Sequence, residues 1–109
     1  MRYCLALDLK NDPQLIKEYE AHHKKIWPEI EVFIKESGIT NMEIYRFQNR
    51  LFMIMETTED FSFEQKQIMD DQNPKVQEWE QMLWRYQQAL PGSKEGEKWQ
   101  LMKKIFEME

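Results

Sequence analysis

The sequence predicts an α+β fold in which an antiparallel sheet carries helices on one of its faces. Three observations predict it. Apolar residues alternate with period two near both ends and in the middle of the chain, they recur with helical spacing in between, and the two patterns follow one another as β-α-β-β-α-β. That order is the ferredoxin-like arrangement.

Each element has its own justification. From Arg2 to Lys10 the residues Tyr3, Leu5, Leu7 and Leu9 share one side, and Cys4, Ala6, Asp8 and Lys10 share the other. Asn11-Asp12-Pro13 then reads as a helix start, with Asp12 as the cap and Pro13 in the first turn. The helix carries Leu15, Ile16, Tyr19, His23 and Ile26. Pro28 has no N–H and disfavours helical geometry at Trp27, so the helix kinks there or ends and restarts. Ile30, Phe33 and Ile34 continue the stripe, and Ser37-Gly38 closes it. Ile39 to Phe47 and Leu51 to Thr57 are rich in β formers and are joined by the short turn Gln48-Asn49-Arg50 as a hairpin. Ser62 with Gln65 three residues on suggests a capped short helix. Asn73-Pro74 opens another, whose stripe Val76, Trp79, Leu83, Tyr86, Leu90 predicts a helix running up to Pro91-Gly92. Lys98 to Met108 reads as a last strand.

Composition narrows the function. With 109 residues the chain is the size of one domain, residues 1–109. It is 41% apolar and 32% charged, and no apolar run approaches the ~20 residues of a membrane span, so no membrane partner is expected. A single cysteine forbids an internal disulfide and points to the cytoplasm. The net charge of −5, without a basic stripe, argues against nucleic acid. No Gly-rich phosphate loop and no zinc-like Cys/His spacing is present, and His22 and His23, being adjacent, face about 100° apart on a helix. The second face of the sheet would expose several apolar side chains, which predicts a homodimer formed sheet to sheet, a dimeric α+β barrel.

The chemistry concentrates in Tyr19-Glu20-Ala21-His22-His23-Lys24-Lys25-Ile26-Trp27-Pro28-Glu29. Residues four apart lie one above the other on a helix, so Tyr19, His23 and Trp27 form a row. A phenol, an imidazole and an indole suit a sugar, with polar groups for its hydroxyls and a flat face for its ring. By default a helical histidine is a structural or surface residue, and Tyr19 and Trp79 are core.

The run Glu18-Tyr19-x-x-x-His23-x-x-Ile26-Trp27-Pro28-Glu29 resembles the signature of the L-rhamnose mutarotase family. Asn41, Ile44 and Tyr45, then Val76, Gln77 and Trp79, then Ile105-Phe106 follow in the family's order. The resemblance implies a dimeric α+β barrel and cofactor-free interconversion of the anomers of L-rhamnose or L-fucose. It places the proton-donating histidine at His23 and substrate-binding residues at Tyr19 and Trp79, which gives the Trp79 ring face to the sugar. Glu80 stands where the family has a second tryptophan, and Met42 where its rhamnose enzymes have a tyrosine; both leave the choice of sugar open. The catalytic base is unassigned among Asp8, Glu80 and water, and Trp27 is expected to pack beside the kink. Two other readings share the architecture: a haem-degrading or oxygenase enzyme, and a binding module without catalysis.

Overall fold

The computed structural model describes residues 1–108. Strand β1 (Arg2–Leu9) is followed by α1 (Pro13–Lys24), α2 (Pro28–Glu36), the hairpin β2 (Ile39–Phe47) and β3 (Arg50–Thr57), then α3 (Phe63–Gln72), α4 (Pro74–Trp84), β4 (Gln87–Gln88) and β5 (Gln100–Leu101). The antiparallel sheet runs β2-β3-β1-β4, with β5 also paired to β1. This is the expected ferredoxin-like arrangement.

Pairing register separates the two faces of the sheet. Leu5 lies opposite Met53, Leu7 opposite Leu51, and Met42 opposite Met55. These side chains point at the helices, and Leu7 is fully buried. There they meet Tyr19, Ile30, Phe33, Val76, Trp79 and Leu83 from α1, α2 and α4. On the other face Cys4 pairs with Ile54 and Ala6 with Phe52, and Tyr45 continues the row. Among the described residues no element covers this face, and Tyr45 is 53% exposed and Phe47 77%.

The long helical stretch after Asp12 does not bend; it breaks. Asp12 caps α1 by accepting from the N–H groups of Gln14 and Leu15. The chain becomes extended at Lys25 and Trp27, and Pro28 opens α2 as a new first turn. Proline forces this, because the residue before it avoids helical geometry and its own missing N–H is harmless at a helix start. Gly38 then turns the chain into β2 at a φ of +98°, where a Cβ would also press on Thr58 Oγ1 at 3.1 Å. Both later caps form as expected, Ser62 accepting from Gln65 N–H, and Asn73 from Lys75 and Val76 N–H.

The C-terminal third departs from the sequence expectation twice. The helical stripe through Tyr86 and Leu90 is cut short, since α4 ends at Trp84. Tyr86 is still buried, but its carbonyl accepts from Lys10 N–H and Gln87 pairs with Leu9. The free edge of β1 captures this stretch, and sheet pairing overrides the favourable helix propensity of Gln87, Gln88, Ala89 and Leu90. The predicted last strand is likewise reduced to Gln100–Leu101. Leu101 lies opposite Leu5, where an uninterrupted strand from Gln88 would place residue 91. The edge strand is therefore interrupted by a ten-residue excursion, with turns at Gly92 and Gly96. After Met102 the chain leaves the sheet, and Ile105, Phe106 and Met108 stand exposed.

Candidate active site

The helix-covered side of the sheet encloses a cavity of about 620 Å³, within the ~300–1,000 Å³ usual for small-molecule sites. Tyr19, His23 and Trp79 all line it, so the three residues singled out in the sequence meet in one place. The chain break before Pro28 borders it, because Ile26 and Ile30 line the same wall. Met42, Gln87 and Trp99 are among the other residues that line it.

His23 is held by its own helix. Its Nδ1 lies 2.9 Å from the Tyr19 carbonyl oxygen, one turn back. A carbonyl oxygen only accepts, so Nδ1 carries the hydrogen and Nε2 of the neutral ring keeps a lone pair. No hydrogen bond of Nε2 occurs among the described residues. The ring stacks at a tilt on Tyr19, with centroids 4.4 Å apart, and lies 5.8 Å from the Trp79 ring. Burial lowers the imidazole pKa below 6.5, the bond to the Tyr19 carbonyl works against that shift, and His22 adds to it. His23 is therefore uncharged at neutral pH.

Tyr19 is poised the opposite way. Burial pushes its phenol up to about 12, against a lowering contact from the Gln87 carboxamide and with a further rise from the charge of Glu80. It remains a proton-bearing donor throughout the neutral range. Trp79 is fixed by the edge-on ring of Trp27 at 4.9 Å, and Lys75 sits 4.7 Å over Trp27. Trp27 thus packs beside the chain break, as expected, and buttresses the site without being among the cavity-lining residues.

The rim is polar. Lys98, from the excursion, reaches Glu80 on α4 at 2.9 Å and covers the Trp84 ring. Lys66 pairs with Asp70 on α3 at 3.0 Å. Glu80 thus contributes an ion pair to the rim. Asp8, one of the candidate bases, is elsewhere: it lies on the uncovered sheet face, bonded to Arg50 at 2.8 Å. His22 is not among the cavity-lining residues; its Nε2–H donates to the Tyr86 hydroxyl oxygen at 3.2 Å, and that hydroxyl in turn donates to Glu18. No group of three potential metal ligands gathers among the described residues.

Sequence reading missed Gln87, Lys98 and Trp99. The helical stripe absorbed the first, and the other two enter the site only through the excursion. A polar pair, Gln87-Gln88, inside a supposedly apolar helix stripe was the one available signal.

Fold and site define an α+β protein of ferredoxin-like topology whose cavity is lined by an imidazole, a phenol and an indole. The chain belongs to the L-rhamnose mutarotase family, whose sequence profile matches residues 2–108, and it is an isomerase of that type. It is 42% identical to the L-fucose mutarotase of Xanthomonas campestris pv. campestris over 96% of this chain and 86% of that one. It is 31% identical to the L-rhamnose mutarotase of Sinorhizobium fredii over 74% of this chain and 72% of that one. Among solved structures it resembles the L-rhamnose mutarotase of Formosa agariphila, with a TM-score of 0.73 at 20% identity, covering 100% of this chain and 99% of that one. The tetracenomycin F2 cyclase of Streptomyces glaucescens shares the fold, with a TM-score of 0.63 at 15% identity, again over 100% and 99%.

The His23 shift has a sign that unfolding can test. A histidine whose folded pKa is lowered binds fewer protons than in the unfolded chain between that pKa and 6.5. Its contribution to stability is therefore lost as pH falls through this window. Urea unfolding of the parent and of His23→Gln, at pH 7.5 and pH 5.5, should show a larger acid loss in the parent. Equal losses would mean that burial does not perturb the ring.

Proposed function

We propose that this protein is a cofactor-free mutarotase of a 6-deoxyhexose, with L-fucose preferred over L-rhamnose. The observation that carries the reading is the His23 imidazole, neutral and with Nδ1 occupied, lining a cavity beside a buried phenol and an indole. The L-fucose preference follows the more extensive match to the L-fucose enzyme and the replacement of an aromatic wall position by Glu80. The family favours this over a haem-degrading or oxygenase role.

In this reading Nε2 of His23 first takes the proton of the anomeric hydroxyl. The C1–O5 bond breaks as the C1=O1 double bond forms, and the electron pair goes to O5. The imidazolium then donates its proton to O5, which completes the open aldehyde. Both oxygens share C1, so one ring can serve both, and reclosure on the other carbonyl face runs the steps backwards. His23 is thus the donor that the family resemblance implies, but only after it has acted as acceptor. Tyr19 donates a hydrogen bond that holds the sugar, and Trp79 offers its face to the C–H side of the ring. Asp8 has no part as a base, because Arg50 holds it on the opposite face of the sheet.

We further propose a homodimer joined through the uncovered sheet face. Cys4, Ala6, Phe52 and Ile54 form its centre, with Tyr45 and Phe47 exposed beside them. The apolar tail residues Ile105, Phe106 and Met108 also lack an intramolecular partner surface. An apolar patch of this kind is the usual mark of an interface. The substrate is the only other partner proposed, and among the described residues no helix is long and apolar enough to cross a membrane.

Two experiments test these readings. Exchange NMR on the anomers of L-fucose and L-rhamnose should show acceleration by the parent, faster for L-fucose. His23→Ala should lose ~10²–10⁴-fold with an unchanged circular dichroism spectrum; full activity in that variant would remove His23 from the chemistry. Sizing with light scattering at micromolar concentration should give the mass of two chains, and Phe52→Asp should give one. A parent that runs as a monomer would refute the dimer.

A further inference from the structure

One buried side-chain acceptor among the described residues lacks a hydrogen-bond partner. Oε1 of Gln87 has no hydrogen-bond partner, and the residue is 3% exposed. It is the one such side-chain atom among the described residues. Buried acceptors are almost always satisfied, so an orphan needs an occupant. Two further features place that occupant. Gln87 lies opposite Leu9 in the edge pairing, which turns its side chain to the helix-covered side and away from the uncovered face. It also lines the cavity that holds His23, Tyr19 and Trp79.

We infer that Gln87 is a substrate-binding residue whose carboxamide oxygen accepts a hydrogen bond from one hydroxyl of the bound pyranose. This deepens the mutarotase reading and rests on it. The amide lies beside the Tyr19 phenol, so the two residues offer the sugar an acceptor and a donor in one corner of the cavity. Gln87 is held by the backbone pairing of β4 with β1, not by a flexible loop, so its side chain leaves the sheet toward the cavity from a fixed position. A fixed acceptor distinguishes sugars that differ in the direction of a hydroxyl. L-fucose and L-rhamnose differ in configuration at C2 and C4, and Gln87 reads one of these two positions. A site built to hydrogen-bond a hydroxyl rejects analogues that lack it far more strongly than an apolar wall would.

The test uses Gln87→Met, which keeps the length of the side chain and removes its polar end. With L-fucose, kcat/KM should fall at least 10-fold. With either 2-deoxy- or 4-deoxy-L-fucose, the parent and the variant should be equal, and that sugar identifies the hydroxyl that Gln87 binds. The melting temperature should stay the same or rise, because an unpaired buried acceptor has been removed. A purely structural glutamine predicts the reverse, a lower melting temperature with unchanged kcat/KM. An unchanged kcat/KM for L-fucose, or equal losses with all three sugars, overturns the inference. Sugar binding is read separately, from the side-chain amide resonances of Gln87 in the parent during titration with L-fucose. If these move while the parent does not accelerate anomer exchange, the catalytic reading fails and the binding role of Gln87 stands. If they do not move, the binding role fails whatever the catalytic result.

Discussion

In the proposed mechanism, a hydrogen bond inside one helix sets the chemistry of this protein. The imidazole of His23 turns back along α1 and donates Nδ1–H to the carbonyl of Tyr19. The bond fixes the ring's orientation and decides which nitrogen bears the hydrogen. It leaves Nε2 as a lone-pair acceptor, and burial keeps the ring neutral so that the lone pair is available at physiological pH. The same burial keeps the neighbouring phenol protonated. One environment therefore shifts an imidazole down and a phenol up, and the two become an acceptor and a donor without any further charged partner.

The rest of the fold serves to put that ring beside a hollow. Pro28 ends α1 soon after His23, so the wall near the ring is made by Ile26 and Ile30 at a break and not by a continuing helix. The α4 helix supplies Trp79, which Trp27 braces from the break between α1 and α2. The β1 edge then draws the chain out of the helical path after Trp84 and brings Gln87 in behind Tyr19. The excursion that follows returns Lys98 and Trp99 to the rim. Each contribution comes from a different element, and the sheet register aligns them.

The sequence carried the elements whose signals are local. Caps at Asp12, Ser62 and Asn73, the proline break, and the hairpin each depend on a few adjacent residues, and each appears where expected. Of the expected row Tyr19, His23 and Trp27, the first pair was legible because spacing of four is a property of the helix itself, whereas Trp27 leaves the row because α1 ends at Lys24. What could not be read was non-local. Tyr86 and Leu90 continue a helical stripe perfectly well, and only the vacant edge of β1, far away in sequence, draws residues 87 and 88 into a strand. The alternation beyond Lys98 is real, but in a single chain the apolar residues from Ile105 onward have no surface to pack on. Gln87 was hidden for the same reason, since its role follows from where β4 pairs. Asp8 looked like an acid–base candidate on a strand, and its alternation placed it correctly on the far face, where Arg50 neutralises it.

The tautomer and charge of one imidazole decide between this account and its alternatives. Long-range ¹H–¹⁵N correlation NMR on the ring of His23, at pH 7, reads both directly. The account predicts a neutral ring with hydrogen on Nδ1 and none on Nε2, and an Nε2 resonance that shifts when L-fucose is added. A doubly protonated ring, a hydrogen on Nε2, or an Nε2 signal indifferent to the sugar would contradict it.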